Sequence, residues 1–104
     1  MNETVKAFVL MDKDDPGEIR EIENTLEAFQ EIVGGYIETV PFEGDLVMII
    51  NEEGKLRELP PNFIWRGDCI VGTAVFVRVD GDEFADVEEE DRETIEDSIW
   101  SGGR

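Results

Sequence analysis

The chain has 104 residues, with 27 Asp and Glu against 9 Lys and Arg, no His, and a formal net charge of −18. That balance excludes direct nucleic-acid binding, which needs a basic footprint, and the lack of His excludes every Ser–His, Cys–His and His–metal arrangement. At 40% hydrophobic the chain is too apolar for an acidic disordered segment, and its length fits one domain.

Val5 to Met11 reads as a strand buried on both sides, with Val5, Ala7, Val9 and Met11 on one face and Phe8 and Leu10 on the other. Asp15, Pro16 and Glu18 form a capping-box pattern for a helix start. Ile19, Ile22, Leu26, Phe29 and Ile32/Val33 then recur at three- and four-residue steps, which predicts one strongly amphipathic helix ended by Gly34-Gly35. Tyr36 to Val40 and Leu46 to Ile50 read as a hairpin around Glu43-Gly44-Asp45. Asn51 to Gly54 is a turn. Leu59-Pro60-Pro61-Asn62 lacks two ladder donors and predicts irregular chain, with Phe63, Ile64 and Trp65 in a packed loop. Cys69 to Val79 is the longest strand candidate, and Gly72 within it marks a bulge or a close backbone approach. A thin apolar stripe of Val87, Ile95, Ile99 and Trp100 predicts an acidic helix over 87–100, weakly docked, with Asp86 and Glu89 forming its capping box.

The resulting order, β-α-β-β-β-α, predicts an α+β fold with a small, mainly antiparallel sheet. The expected organisation is a core domain over 1–80, an acidic helical segment over 81–100 packed on or extending from it, and a loose tail over 101–104. One Cys permits no internal disulfide. The start, Met1-Asn2-Glu3, has no basic-then-apolar leader, and the longest apolar run, Leu46–Ile50, falls far short of a membrane span. The expectation is a cytoplasmic protein without membrane contact; oligomeric state is not legible.

Charge is concentrated. Asp80 to Asp97 holds eleven acids and one base, Arg92, or −10; the other 86 residues hold sixteen acids and eight bases, or −8. A helix over 87–100 would be about 21 Å long. Over that length one DNA strand carries about six phosphates, against seven acids on the helix. Such a face suits a basic protein partner, with Glu88, Glu89, Glu90, Glu93, Asp97 and Trp100 as candidate contact residues. Neutralising those five acids should leave the fold intact. The alternative is an acidic halophilic housekeeping domain without an electrostatic partner, for which three Lys against 27 acids is the motive.

No catalytic, cofactor or metal residues emerge, and the chain reads as non-enzymatic. Cys69 beside Asp68 is a strand-edge or small core residue. Glu38 is an acid in an apolar strand, placed facing solvent. Residues 80–91 have acids at several calcium-loop positions, but Phe84 stands at the fifth and Ala85 where the sharp turn needs Gly, leaving at most weak calcium binding.

Four blocks, Gln30–Glu38, Asn51–Leu56, Leu59–Asn62 and Ile70–Ala74, resemble the family known as domain of unknown function 3846. They span most of residues 5–80, and the acidic segment falls outside them. The resemblance implies a small α+β fold and a setting in phages, plasmids and other mobile elements, beside anti-defence and DNA-processing proteins. It implies no catalytic residue, cofactor or ligand. Together with the charge it leads to the expectation of a DNA-mimic-like protein that binds a nucleic-acid-processing or defence protein.

Overall fold

The computed structural model describes residues 3–99. The elements are β1 (Thr4–Leu10), β2 (Glu18–Glu23), α1 (Leu26–Val33), β3 (Ile37–Pro41), β4 (Leu46–Asn51), β5 (Pro61–Trp65), β6 (Asp68–Val71), β7 (Ala74–Asp80), β8 (Glu83–Ala85) and α2 (Glu89–Ser98). The main sheet runs β2-β1-β7-β4-β3, with β8 also on β7, and β5–β6 is a separate hairpin. All pairings are antiparallel. The fold is α+β, as the sequence predicts.

Both faces of the sheet are buried, which is why β1, β4 and β7 are almost continuously apolar. Val5, Ala7, Val9, Ile49, Val75 and Val77 point to α1, which contributes Phe29 and Val33. Phe8, Leu10, Met48 and Phe76 point the other way, where Phe63, Trp65 and Ile70 of the hairpin, Ile95 of α2 and Ile99 just after it cover them. Each fully buried large side chain contributes about 1.5–3 kcal/mol. The α2 stripe is thin, yet the helix is firmly docked: Ile95 has 0% exposure.

The predicted amphipathic helix is where the sequence misleads. Residues 18–23 form β2, paired with β1, and the helix starts only at Leu26 with Thr25 as its cap, Oγ1 accepting from Ala28 N at 3.1 Å. Ile19 lies opposite Phe8 and Ile22 opposite Val5, so the two residues serve opposite faces of the sheet. A three-residue spacing fits a helical stripe and a two-faced strand equally well. Asp15 caps no helix; its carboxylate accepts from Met11 N at 2.8 Å and Gly17 N at 2.9 Å, closing the β1–β2 turn. The C-terminal signal holds, with Gly34 left-handed at φ 82° and its N–H donating to Gln30 O.

Two further expectations are corrected. Phe63–Trp65 is strand β5 rather than loop; Pro61 is tolerated because it opens the strand, and a register shift follows it. The long strand over 69–79 breaks at Gly72, φ 75°, into β6 and β7 of different sheets. A Cβ on Gly72 would stand 2.8 Å from Leu59 Cδ1, so the close approach expected there is real.

Buried Asn62 fastens the hairpin to the sheet. Its Nδ2 donates to Leu10 O and Gly72 O, both at 2.9 Å. Asn62→Ala leaves two interior carbonyls without that donor. It should lower the unfolding free energy by about 2 kcal/mol in urea titration; a change within error would mean that other donors replace it.

Candidate functional site

Arg78 divides the acidic segment into inner and outer acids. It lies in the C-terminal half of β7 beside α2 and donates from Nε to Asp91 Oδ2 at 2.7 Å and from Nη2 to Asp91 Oδ1 at 2.8 Å, a two-pronged pair. Glu88 and Glu90 each lie 3.4 Å from the same guanidinium. The hydrogen bond to Asp91 and the adjacent carboxylates raise the Arg78 pKa further above its ordinary value. Burial pushes the Asp91 carboxyl up, but the Arg78 bond and the Glu88 backbone N–H outweigh it and hold Asp91 below the usual carboxylate range. That backbone bond, Glu88 N to Asp91 Oδ2 at 2.7 Å, caps α2. Asp86, expected in the cap, instead accepts from Lys6 N at 2.8 Å.

The acids named as candidate contacts therefore divide. Glu89, Glu93 and Asp97 recur at four-residue steps on the outward side of α2, opposite buried Asp91, Ile95 and Ile99. Among the described residues Glu93 and Asp97 have no ion pair, and Glu89 meets only Arg92, at 3.9 Å. Glu90 is three-quarters exposed beside Arg78. Glu88 is tied into the Arg78 cluster at 3.4 Å, so of the candidate acids it and Glu90 belong to the inner group rather than to the outward stripe. Trp100 lies outside the described residues. Arg78 was the residue missed; its signal was a lone cation in a valine-rich strand just ahead of an acidic run.

The acids of the calcium-like spacing are dispersed over the β7–β8 hairpin, the Lys6 contact and the Arg78 cluster. Among the described residues no group of three or more acids and Cys is arranged to hold a metal. Cys69 is exposed on β6, at a strand edge. Glu38 faces solvent on β3, as expected.

The four resemblance blocks converge in space. Asn51 Nδ2 donates to Val33 O at 3.2 Å, and its Oδ1 accepts from Glu53 N at 2.8 Å. Arg57 Nη1 donates to Gly34 O at 3.1 Å. Leu59 N donates to Gly54 O at 3.0 Å, and Gly72 N to Pro60 O at 2.8 Å. Gly54 and Gly72 leave room for Val71 and Leu59. These residues tie the end of α1, the 52–60 loop and the hairpin into one knot, a structural reason for their types.

The profile of the family described as Domain of unknown function (DUF3846) matches residues 5–99. The chain belongs to that family. No curated protein and no solved structure matches it. The matched span runs through α2, so the acidic helix lies inside the DUF3846 domain rather than beyond it. Among the described residues no helix is long and apolar enough to cross a membrane.

Proposed function

We propose that this DUF3846 protein binds a basic surface of a nucleic-acid-processing or defence protein, presenting the outward face of α2 in place of a DNA strand. The observation that carries the proposal is the outward stripe of Glu93 and Asp97, without an ion pair among the described residues, and Glu89, which meets only Arg92 at 3.9 Å, while Arg78 gathers Glu88, Asp91 and the neighbouring, three-quarters exposed Glu90. From Glu89 to Asp97 the helix rises about 12 Å. One DNA strand carries about four phosphates over that rise, and the stripe with Glu90 carries four carboxylates. The protein then acts without catalysis, as a competitor for a positively charged groove. The mobile-element setting implied by the family resemblance supplies a use for such competition.

The test compares the wild type with the triple variant E89Q/E93Q/D97N. The wild type should retain a basic nucleic-acid-binding protein from cell extract at low salt, and duplex DNA should displace it. The triple variant should fail to retain it while melting at the same temperature. Binding should fall steeply with salt, because the screening length shrinks from about 10 Å at 0.1 M to about 3 Å at 1 M. Equal capture by both proteins, or capture that DNA does not compete, rejects the proposal. A fold stable only in molar salt would instead support the halophilic alternative.

A further inference from the structure

A second surface lies on another element, at the margin of the sheet. The five-strand path of the sheet ends in β2 on one side and β3 on the other. Four of the six residues of β2 are charged, Glu18, Arg20, Glu21 and Glu23, which is how natural sheets protect an edge. On β3 only Glu38 is charged.

The ladder parity shows what β3 leaves open. Glu52 N donates to Tyr36 O at 2.8 Å, and Phe42 N to Leu46 O at 2.9 Å, in register with Ile37 opposite Asn51. The hydrogen-bonded positions of the strand are therefore Tyr36, Glu38, Val40 and Phe42, and the intervening residues point their backbone groups away from β4. The outer side offers the N–H of Ile37 and Thr39 and the carbonyls of Ile37, Thr39 and Pro41. Pro41, without an N–H, sits where none is needed.

A groove of about 320 Å³ opens beside this edge, between β3–β4 and the β5–β6 hairpin. Val40, Ile50 and Trp65 contribute apolar wall, and Glu38, Glu52 and the Lys55–Asp68 ion pair contribute the polar part. With Lys55 matched to Asp68, Glu38 and Glu52 leave the groove net negative. Trp65 is buried to within 8%, and its indole N–H has no acceptor among the described residues.

We infer that the β3 edge and its groove take an extended, basic–apolar peptide segment of a partner protein as an added strand. Main-chain bonds to Ile37 and Thr39 give the affinity, and the groove selects side chains. On the added strand, residues opposite Glu38 and Val40 lie over the groove, two positions apart. The first would be cationic and the second apolar. A second copy of this chain is the disfavoured occupant, since each copy carries −18.

The probe is the capped peptide Lys-Thr-Val-Thr-Lys, which places the pattern in either strand direction, with Glu-Thr-Val-Thr-Glu as control. Both are titrated into the E89Q/E93Q/D97N protein, so that the outcome is independent of the α2 proposal. The lysine peptide should slow amide exchange at Ile37 and Thr39 and leave Glu38 and Val40, already bonded to β4, unchanged. Thr39→Pro removes an outward donor and no ladder bond; it should weaken binding about fivefold to tenfold, the weight of one hydrogen bond. Exposed Glu38→Lys should reverse the preference to the glutamate peptide without affecting folding. Shifts mapping elsewhere, affinity indifferent to both variants, or a dimer paired through β3 in sedimentation would each overturn the inference.

Discussion

Asp91→Ala should lower the unfolding free energy by about 3 kcal/mol, a large fraction of the 5–15 kcal/mol typical of a domain. The substitution removes three things at once. The bidentate partner of Arg78 is lost, the Glu88 N–H loses its acceptor, and a cation is left beside Glu88 and Glu90 without its strongest bond. Asp91→Asn separates charge from shape and exposes a pH signature. The folded-state pKa of Asp91 lies below its unfolded value, so its contribution is complete above the unfolded value, about 3.9. It is lost as pH falls through the folded value. The stability gap between wild type and Asp91→Asn should be constant from pH 5.5 to 8 and close below about pH 4. Urea titrations across that range measure it, and a gap that persists at low pH would show that Asp91 acts through packing alone.

Gly17→Ala should cost about 3 kcal/mol, although alanine is the better helix former. Had residues 16–25 been helical, the same change would stabilise the protein. In the β1–β2 turn Gly17 has φ 82°, and an added Cβ would meet Phe8 Cζ at 2.4 Å and Leu10 Cδ2 at 2.9 Å. The left-handed backbone costs about 1–2 kcal/mol for a residue with a Cβ, and displacing a buried ring about 1–3 kcal/mol more. Gly81→Ala is the control. Gly81 has φ 66° with nothing within 4 Å of its would-be Cβ. It should lose only the backbone part, and the difference between the two variants isolates the contact with Phe8. Equal losses in both would deny the close approach.

The contrast between these two sites explains what was legible. Gly34 at a helix end, the Tyr36–Ile50 hairpin and the doubly buried Val5–Leu10 strand follow from short-range rules, because a turn or a cap is satisfied by residues a few positions apart. Ile19 and Ile22 were ambiguous because their spacing meets two periodicities, and only the presence of Phe8 and Val5 across a ladder selects the strand. Pro60-Pro61 pointed to irregular chain over 59–62, yet Pro61 and Asn62 open β5, because a proline at the start of an edge strand forfeits no ladder bond and Asn62 is held there by reaching Leu10 and Gly72 from far along the sequence.

The acidic site shows the same division. From the sequence alone come the family resemblance, the α+β class, the net charge of −18 and the concentration of ten negative charges in one segment, since composition and local pattern carry them. The sequence treats the acids of that segment as equivalent. Only the tertiary structure distinguishes them, by bringing Arg78 against α2 so that Asp91 becomes a buried strut, Glu88 and Glu90 its neighbours, and Glu89, Glu93 and Asp97 an outward stripe. Charge is additive along a chain, whereas burial and pairing depend on which strand ends beside which helix, and long-range packing alone decides that.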